Sequence, residues 1–286
     1  MMNLEKIKRQ KSISELLEFS IINIDKPSSP TSFSVDEIVK KKLKARKTSH
    51  FGTLDPKVTG VLPVALNRAC RLTGYFMQKD KTYVGIMKLH TEISEEKLKK
   101  EMQRFVGKIK QLPPVKSRVK REERERRIYS WEILEKQGKE VLFEAEVEAG
   151  TYIRKLIHDL GLKIGGAHMS ELRRVKAGIF SEAESVNLYD FEKAVEEWKA
   201  GKEEKLREIL IPGEIISEIL PVVEVKKESL KKLWNGSPLF KDFLSEKTKL
   251  ESEKIVVFFD DVFVGVYNCS NEKEIIARPE FVFKPI

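Results

Sequence analysis

The sequence predicts an α+β chain, a large mixed domain followed by a small β-barrel. Three observations carry this. Val141 to Glu148 alternates, with Val141, Phe143, Ala145 and Val147 on one side and Glu144, Glu146 and Glu148 on the other, the period of a half-buried strand with one wet face. Directly after it, Gly150-Thr151 opens a segment in which Ile153, Leu156, Ile157, Leu160 and Ile164 recur at helical spacing, closed by Gly165-Gly166. Beyond Leu220-Pro221 the pattern changes to short apolar runs: Val222 to Val225, Ile255 to Phe259, Val262 to Tyr267, Ile275 to Ala277 and Phe281 to Phe283. Asp260-Asp261 between two of these runs reads as a tight hairpin turn.

The remaining elements follow in chain order. Residues 1–20 are charged and partly helical in pattern, a tail that must dock elsewhere to be ordered. Ile21-Ile22-Asn23-Ile24 is a short buried-type strand ending at Asp25-Lys26-Pro27, and Ser28 to Ser32 is a loop. Ser34, with Glu37 three residues on, matches a capping box and predicts a helix start there. That helix carries Val35, Ile38, Val39 and Leu43 on one face and a basic run on the other: Lys40, Lys41, Lys42 and Lys44, continuing to Arg46 and Lys47. A strand is expected over 82–89, a helix over 94–106 with Ser94 as its cap, and a charged helical stretch over 187–211 ending at Ile211-Pro212-Gly213. The expected organisation is an N-terminal tail (1–20), a catalytic domain (21–215) and a small C-terminal domain (221–286), without internal repeats or low-complexity segments.

The 286 residues are 41% apolar, enough for a substantial core, and 35% charged, with a net charge of +9. A basic balance favours polyanionic partners, nucleic acid first. Cys70 and Cys269 lie far apart and form neither a disulfide framework nor a zinc cluster, and His50, His90, His158 and His168 lack metal-ligand spacing, so no structural metal is expected. No apolar run reaches spanning length and the N-terminus lacks a signal-peptide pattern. These features predict a soluble cytoplasmic protein with no membrane contact, and nothing in them points to an obligate homo-oligomer.

The chemistry concentrates in His50-Phe51-Gly52-Thr53-Leu54-Asp55-Pro56, where one carboxylate stands between glycines, before a proline and behind the basic run. Pro56 biases Asp55 toward extended angles, so the acid can be presented rigidly into a cleft. An isolated Leu-Asp-Pro is more often a turn whose acid bonds nearby amides; the flanking glycines and the basic approach favour a nucleophile or base acting on nucleic acid. Arg154, at a strand-to-helix junction, can pair bidentately with a carboxylate. A cation in the first turn of a helix is electrostatically misplaced, which asks for an acidic partner. Arg173-Arg174 reads as phosphate contacts or as surface charge. The run Lys116 to Arg127 reads as a solvated loop or hairpin, or as a flexible arm touching phosphates without sequence preference. Tyr83 is either a core residue or a base-stacking platform.

Taken together, these segments resemble the TruB-type pseudouridine synthases. The stretch His50 to Leu66 with Ala69-Cys70-Arg71-Leu72 looks like the family signature, and Ile24-Asp25-Lys26-Pro27, Lys81-Thr82-Tyr83, Gln111-Leu112-Pro113-Pro114, Gly150 to Gly161 and Gly166 to Arg174 match further motifs in order, over about residues 20–181. The C-terminal part is similar to a PUA domain, although Glu251-Ser252-Glu253 stands where the family carries a Gly-Asp turn, and Ser117-Arg118 replaces the usual Ser-Ala. The resemblance implies a pseudouridine synthase fold with a mixed, mostly antiparallel central sheet and flanking helices. It implies a cofactor-free isomerase of the tRNA pseudouridine(55) synthase type, with Asp55 as nucleophile, Tyr83 stacking on the target base and assisting proton removal, and Arg154 holding Asp55. Lys26, Tyr152 and Leu172 would line the base pocket and His50 would hold RNA near the extruded nucleotide. Two branches fit: one modifies the tRNA T-loop alone; the other, archaeal and dyskerin-like, works as the catalytic subunit of H/ACA guide ribonucleoproteins with rRNA and small protein partners. The wording GAHMSELRR and the short connection from Gln111 to Thr151 resemble the archaeal form of the second branch. A reading from another class, a non-catalytic RNA-binding module, predicts salt-dependent binding without isomerisation.

Overall fold

The computed structural model describes residues 2–113, 120–245, 252–270 and 272–284. The chain divides into two compact units, Leu17–Leu210 on one hand and Met1–Leu16 with Ile211–Ile286 on the other. The expected positions Pro114 to Val119, which include Ser117-Arg118 and the start of the basic run, lie outside the described residues, as does Glu251.

The chain opens with two short helices, α1 (Leu4–Gln10) and α2 (Ile13–Glu18). Strand β1 (Ser20–Lys26) follows, then helix α3 (Ser32–Leu43), strands β2 (Thr48–His50) and β3 (Thr59–Leu66), helix α4 (Thr73–Met77), strand β4 (Lys81–Leu89), helix α5 (Glu95–Gln103) and strands β5 (Gly107–Gln111), β6 (Arg124–Gln137) and β7 (Glu140–Val147). Helix α6 (Ile153–Ile164), strands β8 (Ala167–Ala177), β9 (Phe180–Ser181) and β10 (Val186–Asn187), and helices α7 (Leu188–Lys199) and α8 (Glu204–Ile209) complete the larger unit.

Its sheet runs β10-β1-β3-β8-β4-β7-β6-β5, with β2 added on β3 and β9 on β8. Pairing is antiparallel except for β1 with β10 and β3 with β8, so the sheet is mixed and mostly antiparallel. Strand β8 is the topological centre, since it separates β3 from β4 although it is made some eighty residues after β4 begins. Helix α6 buries Ile153, Leu156, Ile157, Leu160 and Ile164, as its spacing requires, each worth about 2 kcal/mol in removed apolar surface.

The start of α3 differs from expectation. Thr31, not Ser34, is the N-cap, and its side chain accepts the Ser34 amide at 3.0 Å. Thr31 has the extended backbone a cap needs, while Ser34 already lies inside the helix. The charged stretch over 187–211 is two helices rather than one, broken where Gly201 takes φ +89°.

In the C-terminal unit, β11 (Ile211–Pro212), β12 (Val222–Glu224), helix α9 (Leu230–Trp234), β13 (Leu239–Phe240), β14 (Lys254–Phe259), β15 (Val262–Cys269) and β16 (Ile275–Val282) follow in order. Five of these strands form a curled sheet, β12-β14-β15-β16-β13. The Asp260-Asp261 hairpin is present, with Phe259 paired to Val262 and Asp260 at φ +46°. The two runs expected at 275–277 and 281–283 belong to the single strand β16, which crosses Pro279 opposite Tyr267 beside a register shift. A wholly apolar cluster of Val223, Leu233, Leu239, Ile255, Val257 and Val264 fills the interior with Tyr267. Among the described residues no helix is long and apolar enough to cross a membrane, and no group of three or more His, Cys, Asp or Glu is placed to hold a metal ion.

Candidate active site

Asp55 sits on the loop between β2 and β3, and its neighbours fix that loop almost atom by atom. Phe51 is buried, stacked on Phe76 with centroids 4.9 Å apart, and its amide donates to Pro63 O at 2.9 Å. Leu54 is buried too, and Ser32 clamps it: the Leu54 amide donates to Ser32 Oγ at 2.8 Å, and that hydroxyl donates to Leu54 O at 3.0 Å. Pro56 O accepts from the Ser29 amide at 2.9 Å and from Lys26 Nζ at 3.0 Å. Apolar anchors on either side and a polar clamp beneath leave one outcome for the residue between them: Asp55 stands out from the surface, with its side chain half exposed.

Across from it, Arg154 rises from the first turn of α6, and its Nη2 lies 2.6 Å from Asp55 Oδ2. Both side chains are half or more exposed, and an exposed pair of this kind adds at most about 1 kcal/mol to stability. Its value is orientation. The helix start that carries Arg154 has no side-chain cap of its own. Gln111, buried at the end of β5, takes its place: the Tyr152 amide donates to Gln111 Oε1 at 3.0 Å, and Gln111 Nε2 donates to Tyr152 O at 3.3 Å.

Three buried cations lie in the same region and donate to backbone carbonyl oxygens. Lys26 is fully buried and donates to Pro27 O at 2.8 Å as well as to Pro56 O. Burial pushes its pKa down, and the charge of Asp55 works in the opposite direction. Lys81, 5% exposed, donates to Met77 O at 2.6 Å and to Lys79 O. Burial, reinforced by the nearby Arg174 charge, lowers its pKa to about 8, against a smaller opposing pull from Asp80. Arg174, 1% exposed, donates from Nε to Val61 O at 2.8 Å and from Nη2 to Gly52 O at 3.0 Å. Burial lowers its pKa, and the charge of the neighbouring Tyr83 group offsets part of that.

The other residues singled out from sequence are placed as follows. Tyr83 is half-buried on β4, in register with Arg174 of β8. Leu172 is buried two residues before Arg174 and pairs with Gly85. His50 is held from both ring nitrogens, Nδ1 to Asp36 Oδ2 at 2.6 Å and Nε2 to Thr53 Oγ1 at 3.1 Å. Asp55 and Arg154 therefore meet directly, Tyr83 joins through Arg174, and Lys26 reaches the loop from beneath. Arg173 and Arg174 correct the sequence reading. Arg173 forks onto Asp25 at 2.9 and 3.0 Å and onto Glu182 at 2.8 Å, and Arg174 is interior. Strand alternation was the available signal: Arg174 shares the inward side of β8 with Leu172. Ser32, Asp36 and Gln111 support the site without having been singled out for it, because no local pattern marks a side chain whose partner lies far away in sequence.

Residues 40–153 match the family described as TruB family pseudouridylate synthase (N terminal domain), and residues 154–217 match the tRNA pseudouridylate synthase B C-terminal domain. A relative from Methanothermobacter thermautotrophicus named probable tRNA pseudouridine synthase B is 43% identical over 232 residues, covering 80% of this chain and 72% of that protein. A protein of the same name from Pyrobaculum aerophilum is 40% identical over 253 residues, 87% of this chain and 76% of its own. Among solved structures, a chain of a Cbf5-Nop10-Gar1 complex matches with a TM-score of 0.89 at 38% identity, over 97% of this chain and 89% of that one. A chain of an H/ACA RNP bound to a substrate RNA containing 2'-deoxyuridine matches with a TM-score of 0.87 at 36% identity, over 97% and 89%.

Proposed function

The chain belongs to the TruB family of pseudouridine synthases, and from that premise we propose that Asp55 is the nucleophile of its uridine-to-pseudouridine isomerisation in RNA. The target uridine leaves its stack, since a stacked base keeps its sugar out of reach of a carboxylate. Asp55 attacks ribose C1', and the bond from C1' to uracil N1 breaks with its electron pair going to the uracil. The uracil turns over, C5 bonds to C1' as the bond from C1' to Asp55 breaks, and the carboxylate is released. The proton on C5 then leaves and N1 takes up a proton, so the change is an isomerisation. Arg154, 2.6 Å from Asp55, holds the carboxylate in its attacking orientation. Tyr83 stacks against the base and assists proton removal, Lys26, Tyr152 and Leu172 shape the base pocket, and His50 steadies the RNA beside it. The observation that carries this reading is the exposed Asp55–Arg154 pair standing on a loop that is clamped everywhere beneath it.

For the substrate, two sources are supported by different relatives. Those named tRNA pseudouridine synthase B favour uridine 55 in the tRNA T-loop. The likeness over nearly the whole chain to a protein solved with Nop10 and Gar1, and in an H/ACA RNP with substrate RNA, favours uridines chosen by a guide RNA with small protein partners. Residues 21–215 carry the chemistry, and residues 221–286 bind RNA as a PUA-like unit. Tritium release from 5-tritiated uridine, in a tRNA transcript and in a guide-selected RNA, with and without partners, tests both. Asp55→Asn is expected to lower release at least about 1000-fold while leaving the thermal transition in place, because the side chain is half exposed. Full activity in that variant overturns the nucleophile assignment, and RNA binding without release under every partner condition overturns the enzyme reading.

A further inference from the structure

We propose that Arg174 is a positioning residue that sets the Asp55 loop against Tyr83, so that one buried side chain fixes the geometry between nucleophile and base-stacking tyrosine. The proposal rests on the roles assigned above to Asp55 and Tyr83. Its basis is where the guanidinium reaches. Gly52 and Val61 bracket the segment that holds Asp55, and Arg174 donates to the carbonyl of each, 3.0 Å to Gly52 O and 2.8 Å to Val61 O. Tyr83 stands in register with Arg174 between β4 and β8, which sets the tyrosine beside the same arginine.

Two glycines make this approach possible. Gly52 stands at φ +101°, a conformation that side chains rarely adopt, with room for a Cβ only in contact with Nη1 at 3.4 Å. Gly60, at φ +100°, pairs with Arg174 across β3 and β8, and a Cβ there would fall 2.2 Å from Arg174 O. The loop is therefore closed at both ends against one residue, by backbone at Gly60 and by side chain at Gly52 and Val61. A guanidinium is a rigid plane with five donors, and here it serves carbonyls at both ends of the loop at once while standing beside Tyr83. A lysine ammonium is a single point on a flexible stem and does not bridge the same span.

Arg174→Lys is the test. A displacement of about 1 Å between reacting groups costs on the order of 100-fold in rate, so turnover at saturating RNA is expected to fall about 100-fold. RNA affinity, measured in an Asp55→Asn background, is expected to stay within about two-fold, since Arg174 is interior and its bonds are internal to the protein. The discriminating readout is a cycle with Tyr83→Phe. Once the hydroxyl is gone, the further loss from Arg174→Lys is expected to shrink to less than about ten-fold. An equal loss with and without the hydroxyl, or undiminished turnover in a folded Arg174→Lys protein, overturns the proposal. Should the lysine variant fail to fold, Tyr83→Phe alone decides: the side-chain nitrogen resonances of Arg174 are expected to shift, and unchanged resonances refute the contact. Failure of Asp55→Asn to affect turnover would remove the nucleophile assignment instead, which keeps the two outcomes separate.

Discussion

The two compact units spend their interiors differently. Among the described residues, ten polar or charged side chains are buried, and eight of them lie in the larger unit: Ser20, Asn23, Lys26, Ser32, Asp36, Lys81, Gln111 and Arg174. Ser32, Lys26 and Arg174 bond to the loop of Asp55, Asp36 bonds to His50, Gln111 bonds to Tyr152, and Lys81 sits beside Arg174 and Gly52. Among the described residues, the C-terminal unit adds Glu214 and Ser229 to that group and otherwise closes around apolar side chains and Tyr267. Burying polar groups is costly unless each finds a partner. Concentrating that cost under one loop shows where exact geometry matters, whereas the C-terminal sheet needs only to exclude water.

The contrast can be broken in three ways. The largest effect is expected at Glu214, which meets Lys11 Nζ at 2.5 Å while its other oxygen has no partner. Burial raises its pKa, only partly offset by Lys11. Glu214→Ala is expected to cost the C-terminal unit about 3 kcal/mol by removing the buried carboxylate of an ion pair. Hydrogen exchange of β15 amides reads that loss, turnover measured on folded protein stays unchanged, and the double variant Lys11→Met/Glu214→Leu regains most of the stability. A fall in turnover with stability intact would erase the division between the units.

Next comes Lys81. Its folded pKa of about 8 lies below the ordinary lysine value of 10.5, so between those pH values the unfolded chain binds more protons than the folded one. Stability therefore rises as pH climbs from about 8 to about 10.5, by at most about 3 kcal/mol, and the penalty is fully present below pH 8. Urea unfolding across that range should show the rise in the natural protein and a flat profile in Lys81→Met; a rise that persists in the variant assigns it to other groups. The smallest effect is expected at Tyr267, whose buried hydroxyl has no hydrogen-bond partner. Tyr267→Phe should change stability by less than about 1 kcal/mol, and in the favourable direction, because nothing is lost when an unsatisfied group is removed. A loss above that by urea unfolding would place polar specificity in the C-terminal core as well.

Much of this molecule was legible in its sequence where local rules govern. The alternation of Val141 to Val147 is β7, the spacing of Ile153 to Ile164 is α6, and the Asp260-Asp261 turn lies where its neighbours required. The cap of α3 moved from Ser34 to Thr31 because two hydroxyls compete within one turn and backbone angle decides between them. Asp55 and Arg154 stood out as groups out of place for their surroundings. Arg174 did not, because adjacent arginines suggest a surface, and only the pairing of β8 between β3 and β4 turns the second of them inward. Supporting residues such as Ser32 and Gln111 act on backbone far away in sequence, and no window of residues contains that information.

The central place of β8 bears on how this protein is made. β3 and β4 are complete by Leu89, yet the strand that joins them begins only at Ala167. The sheet thus has a place between two early strands, a slot that a late one fills. Closing that slot is a contact of long sequence separation, the kind that slows folding. Arg174 lies near the end of the inserted strand, so the loop of Asp55 gains its lower clasp only when insertion is nearly complete. A chain without β8 carries Asp55 on a loop that lacks both of its bonds to Arg174.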